Sequence, residues 1–112
     1  MKLINRQITK NELKEMAVRS FGNLVKAVVD IEKGIMVVDA SLHADEEALL
    51  LSKGSHQQNL WGINLYPDMD SDDFIEFDSM INLRPGQGNM SRSVDNPTIQ
   101  KNIREIVRKL IK

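Results

Sequence analysis

The sequence predicts an α+β domain built in two layers: a four-stranded, largely antiparallel sheet with its helices packed on one face, in the order α-β-β-α-β-β-α. Three observations lead there. Two stretches, 24–40 and 60–84, alternate as β-hairpins do; three others carry apolar residues at helical spacing behind recognisable caps. Two hairpins pair most simply into one antiparallel sheet, whose apolar face the helices then cover. With 112 residues, 41% hydrophobic and 28% charged, the chain reads as a single domain, 1–112, able to bury a core without covalent staples.

The elements follow in order. Thr9 with Glu12 three residues on is a capping box and starts a helix with the stripe Leu13, Met16, Ala17 and Phe21, stopped by Gly22 and Asn23. In LVKAVVDIEKGIMVVDA, a two-residue turn at Lys33-Gly34 pairs Ile31 with Met36, Val29 with Val38 and Ala27 with Ala40, which puts six apolar side chains on one face. The other face mixes Lys26, Val28, Asp30, Ile35, Val37 and Asp39. A second helix spans LHADEEALLLSKG, with acids at its start and Gly54 at its end; Leu49, Leu50 and Leu51 bury part of it.

In the second hairpin, Trp61, Ile63 and Leu65 face inward with Ile75, Phe77, Ile81 and Leu83, while Asn64, Tyr66, Glu76, Asp78, Asn82 and Arg84 face out. Pro67 and Pro85 bound its strands. Asn96-Pro97 caps a last helix with the stripe Ile99, Ile103, Ile106, Val107 and Leu110.

Composition narrows function. There is no cysteine, which removes thiolate metal sites and cysteine nucleophiles. The N-terminus lacks a signal-peptide run and no segment is long and apolar enough for a membrane span, so the reading is cytoplasmic with no membrane partner. A net charge of -1 divides along the chain into about +3 for residues 1–34, about -9 for 35–83 and about +5 for 84–112. The basic C-terminal part suits either an anion or a solvated helix face.

No motif names a reaction. The acidic turn Asp68–Asp73 has carboxylates at alternate positions, but Asp73 stands where a calcium loop needs glycine and Ser79 where it needs glutamate, so no metal site is assigned. Arg84-Pro-Gly-Gln-Gly-Asn-Met-Ser-Arg92 offers glycines, amides, a hydroxyl and two guanidinium groups that suit a carboxylate or phosphate, yet it is neither a dinucleotide fingerprint nor a Walker loop. His43 precedes Asp45, Glu46 and Glu47, which reads as a helix start before it reads as a base or a ligand. Ser79, His43 and Asp78 are a set that could meet as Ser/His/Asp, but no nucleophile elbow surrounds any serine.

The runs GNLVKAVVDIEKGIMVVDASLHADEEALLL, LWGINLYP and DSMINLRPGQGNMSR resemble those of a family of small prokaryotic proteins known only as a domain of unknown function. The resemblance spans nearly the whole chain and implies a complete one-domain protein; it implies no activity, cofactor or partner.

The residues therefore point to a non-enzymatic binding or interaction module that self-associates through a sheet face or edge, the mixed face of Val28, Ile35 and Val37 motivating the contact. The alternative is a small enzyme or anion-binding protein with no bound cofactor. Its ligand residues would be Asn64, Tyr66, Asp78, Asn82, Arg84, Asn89, Ser91 and Arg92. RNA binding is a third reading, and the sequence argues against it: aromatics are 4% of the chain, and Trp61 and Phe77 fall on the predicted core side.

Overall fold

A computed structural model describes residues 1–112, apart from the side chain of Ser71 in the acidic turn. Five strands form one antiparallel sheet: β1 (Lys2–Ile4), β2 (Val25–Asp30), β3 (Ile35–Val38), β4 (Leu60–Leu65) and β5 (Ile75–Glu76), in the spatial order β1-β3-β2-β4-β5. Three α-helices accompany them: α1 (Lys10–Arg19), α2 (His43–Ser52) and α3 (Pro97–Leu110). The α+β class and antiparallel pairing agree with the sequence, but the sheet has five strands, not four. The additional strand is β1, three residues that pair with β3. So short a segment has no periodicity to read, and it becomes a strand only because β3 offers it an edge.

The caps form as their residues dictate. Thr9 Oγ1 accepts from Glu12 N at 3.1 Å and Thr9 N donates to Glu12 Oε2 at 3.1 Å, closing the capping box of α1. Asn96 Oδ1 accepts from Thr98 N at 2.8 Å ahead of α3.

The first hairpin has the expected sidedness and a different register. Ala27 pairs with Val38 and Val29 with Met36, two positions from the expected partners, so each side chain stays on its face. The loop has four residues because Asp30 organises it: Oδ1 accepts from Glu32 N at 2.9 Å and Lys33 N at 3.0 Å, and Gly34, at φ 68°, supplies the left-handed exit.

The layering departs from expectation. On one face, Ile4, Val25, Ala27, Val29, Met36, Val38, Trp61, Ile63 and Leu65 pack with Leu13, Met16 and Ala17 of α1 and Ile103, Val107 and Leu110 of α3. The opposite face is not free. Val28 and Val37 lie there under Leu50 of α2, with Leu3, Ile35, Leu49 and Ile81 around them. Helices thus cover both faces, and the mixed face on which self-association was based is buried inside the chain. Burying each of Val28, Val37 and Leu50 contributes roughly 1.5–3 kcal/mol, which fixes α2 to this side.

The second hairpin is truncated. β5 ends at Glu76, so Ile75 and Phe77 join the first core as expected, whereas Ile81 crosses to the α2 side and Leu83 is exposed. Where strand pairing stops, a side chain takes over. Asn82 accepts from Gly62 N at 2.8 Å and donates to Gly62 O at 2.9 Å, giving β4 the bonds of a strand that is not there. Gly62 permits this approach: a Cβ built on it would lie 2.5 Å from Ser79 Cβ.

Candidate functional site

The polar residues of the second hairpin gather at a cleft of about 220 Å³ between the start of α2 and the loop after β5. Lys26, His43, Asn64, Asp78 and Arg92 line it, with Ser79 and apolar walls from Leu42, Met80 and Ile81. Register explains the meeting. Lys26 and Asn64 are partners across β2 and β4 and so emerge side by side, and His43, in the first turn of α2, comes down over them.

His43 is buried and its Nε2 lies 2.8 Å from Ile63 O. A carbonyl only accepts, so Nε2 carries the proton and Nδ1 is left as the acceptor. Burial pushes the His43 pKa below its ordinary value and Lys26 adds to that, against the raising effects of the Ile63 carbonyl, Asp78 and Asn64. The ring is neutral at physiological pH.

Asn64 carries one unsatisfied atom in the cleft. Its Nδ2 donates to Glu76 Oε1 at 2.8 Å and to Asp78 O at 3.3 Å, which fixes the orientation of the amide because both partners can only accept. Its Oδ1 is buried and has no hydrogen-bond donor at bonding geometry among the described residues, and it is the atom through which Asn64 favours the protonated His43 ring. At the mouth, Arg92 Nε meets Asp78 Oδ1 at 2.9 Å in a half-exposed pair. Lys26 has no carboxylate partner among the described residues and sits with its Nζ 5.1 Å from the centroid of the Phe21 ring.

Deeper under α2, one turn beyond His43, Glu46 is fully buried. Its Oε2 accepts from Ala40 N at 3.1 Å while Oε1 has no partner among the described residues, and burial pushes its pKa up to about 9 despite the Ala40 bond and the nearby Lys26. Glu46 is therefore a neutral acid at pH 7. Among the described residues no three His, Asp or Glu side chains converge as a metal site. Nor, among the described residues, is any helix long and apolar enough to cross a membrane.

Residues 2–110 match the family described as "Protein of unknown function (DUF5674)". The chain belongs to this family. No curated protein and no solved structure matches it. The DUF5674 match covers the three runs on which the whole-chain resemblance rests, and its description brings no activity to the cleft.

Of the residues singled out from sequence, Asn64, Asp78 and Arg92 meet in the cleft. Tyr66 stands apart from it, its hydroxyl donating to Glu76 Oε1 at 3.1 Å. Asn82, Arg84, Asn89 and Ser91 are committed to the loop itself. Asn89 Nδ2 donates to Asn82 O, Ser91 O and Ser93 O, and its Oδ1 accepts from Asp95 N. Arg84 donates to the carbonyls of Ile81, Gln57 and Leu60 and stacks over Trp61 at 4.5 Å. Ser91 Oγ donates to Asp95 Oδ1 at 2.5 Å.

Ser79, His43 and Asp78 do line one cleft, but they form no relay: Ser79 Oγ accepts from Ile81 N, and His43 bonds to Ile63 rather than to Ser79 or Asp78. Lys26 in the cleft and Glu46 beneath α2 are residues that sequence reasoning passed over. For Glu46 the signal was spacing: His43, Glu46 and Leu50 fall at i, i+3 and i+7, one face of a helix.

Proposed function

We propose that this member of the DUF5674 family is a non-enzymatic binding protein whose ligand is a small polar acid, a carboxylate or phosphate with a neighbouring N–H or O–H, seated in the cleft between α2 and the loop after β5. The observation that carries the reading is Asn64 Oδ1, a buried acceptor held in place by two bonds from its own amide nitrogen and left without a donor among the described residues. Such a group costs about 1–3 kcal/mol unless something donates to it, and a ligand N–H or O–H would recover that. Lys26, unpaired beside it, complements the acid, and the Arg92–Asp78 pair can open toward either part of the ligand. A cleft of about 220 Å³ suits a molecule of few heavy atoms.

Nothing in the cleft is poised as a nucleophile–base pair, which favours binding over turnover. Arg84, Asn89 and Ser91 have no part in this reading because their polar atoms hold the loop together.

Thermal unfolding with glycolate, L-lactate, L-alanine, L-serine and inorganic phosphate tests it. A probe at 100 times its dissociation constant raises stability by about 2.7 kcal/mol. At least one probe is expected to stabilise the wild type, with the effect lost in Lys26→Gln and Asn64→Ala. Stabilisation by none of them, or equally in both variants, would overturn the reading.

A further inference from the structure

On the other side of the molecule, where α3 passes the open edge of β5, a second concavity of about 360 Å³ is lined by Lys10, Arg104 and Arg108 around an apolar floor of Phe74, Ile75, Val107 and Ile111, with Asp72 at the rim. We propose that this groove binds an amphipathic anion, a carboxylate or phosphate monoester carrying a compact apolar body.

The cations come from two different helices and converge. Lys10 opens α1 and its Nζ stands 5.2 Å from the centroid of the Phe74 ring; Arg104, on α3, stacks over Phe77 at 5.0 Å. Among the described residues none of the three has a carboxylate partner within salt-bridge distance. Arg104 and Arg108 are four apart on one helix face, a like-charge spacing that opposes helix formation. A merely solvated helix face has no need to aim both at the same hollow as Lys10. An anion between them turns the repulsion into attraction, and the guanidinium groups match carboxylate and phosphate oxygens.

The floor sets the rest of the ligand. Phe74, Ile75, Val107 and Ile111 give an apolar surface of small-molecule size, at the low end of ligand pockets. An extended acidic peptide added to the edge is the competing occupant. Yet β5 is only two residues long, so a peptide strand gains almost no ladder from it. The observations favour the small amphiphile. This site shares no residue with the cleft under α2, so either can fail without the other.

Calorimetric titration of the intact chain with hexanoate, octanoate and phenyl phosphate tests the proposal, using inorganic phosphate and 1-hexanol as the separate halves of the ligand. At least one amphiphile is expected to bind tenfold or more tightly than either half, more weakly as salt rises, with amide shifts at Phe74, Ile75 and Val107. Arg104→Gln/Arg108→Gln is expected to weaken it at least tenfold, and Arg108→Gln alone, an exposed change that leaves the Phe77 stack intact, several-fold. No amphiphile binding at millimolar concentration, binding matched by 1-hexanol, affinity unchanged in Arg108→Gln, or an aspartate-rich peptide displacing the amphiphile with higher affinity would each overturn it.

Discussion

The side-chain amide of Asn82 bonds to both the N–H and the C=O of Gly62, at 2.8 and 2.9 Å, and so does for β4 what a neighbouring strand does elsewhere. One side chain thereby covers the part of β4 that β5 leaves unpaired and positions the loop that walls the cleft. Asn82 also donates to Arg92 O at 3.0 Å, which ties the Arg92 end of the loop to the same point.

Replacing Asn82 with Ala leaves two buried backbone groups of Gly62 unpaired. At about 1–3 kcal/mol for each orphaned group, partly offset by water entry, Asn82→Ala is expected to destabilise the fold by about 2–4 kcal/mol in urea unfolding. A loss below about 0.5 kcal/mol would show that the amide is not a strand substitute.

Gly62→Ala tests the same approach from the other side. The new Cβ would sit 2.5 Å from Ser79 Cβ and 2.6 Å from Ser79 Oγ, so the variant is expected to lose about 1–3 kcal/mol by overpacking. Adding Ser79→Gly removes the two nearest of the atoms it meets, leaving Ile81 Cγ1 at 3.1 Å. In a double-mutant cycle the pair should be less destabilised than the sum of the singles.

Glu46 makes stability fall as pH rises. The unfolded carboxyl releases its proton near 4.5 and the folded one near 9, so across that window the folded state holds a proton that the unfolded chain has lost. The slope from this one group approaches about 1.4 kcal/mol per pH unit. Glu46→Gln, neutral at every pH, should match the wild type near pH 4 and exceed it increasingly toward pH 9 in parallel melts.

His43 acts in the opposite sense. Its folded pKa lies below the unfolded value of 6.5, so stability is lost as pH falls through and below 6.5, where the unfolded chain gains a proton that the buried ring refuses. His43→Gln can still donate to Ile63 O and is expected to show a shallower decline between pH 6.5 and 4.5 than the wild type.

What the sequence disclosed follows from the range of the interactions. The caps at Thr9 and Asn96 were legible because each is completed within three residues. The sidedness of Trp61, Ile63 and Leu65 was legible because alternation survives even a shifted register, as it did between β2 and β3. The side of the sheet that α2 covers was not legible. Its inward stripe includes His43 and Glu46, which hydrophobic patterning assigns to solvent, and they are buried because the sheet supplies the Ile63 carbonyl and the segment after β3 supplies the Ala40 N–H. The early end of β5 was hidden for a similar reason: alternation continues past Glu76, but Asn82 reaches Gly62, 20 residues away, and displaces the strand. Asn82 and Asn89 looked like ligand residues because amides suit recognition, and the same versatility lets them satisfy backbone groups in a loop without regular structure.

The most direct measurement follows the carboxamide ¹³C shifts of Asn64, Asn82 and Asn89 in asparagine-labelled protein during titration with glycolate and L-alanine. The account predicts that Asn64, whose oxygen is unclaimed, moves with the ligand while Asn82 and Asn89 stay fixed. Movement of Asn82 or Asn89 with Asn64 unchanged, or no movement of the three, would contradict it.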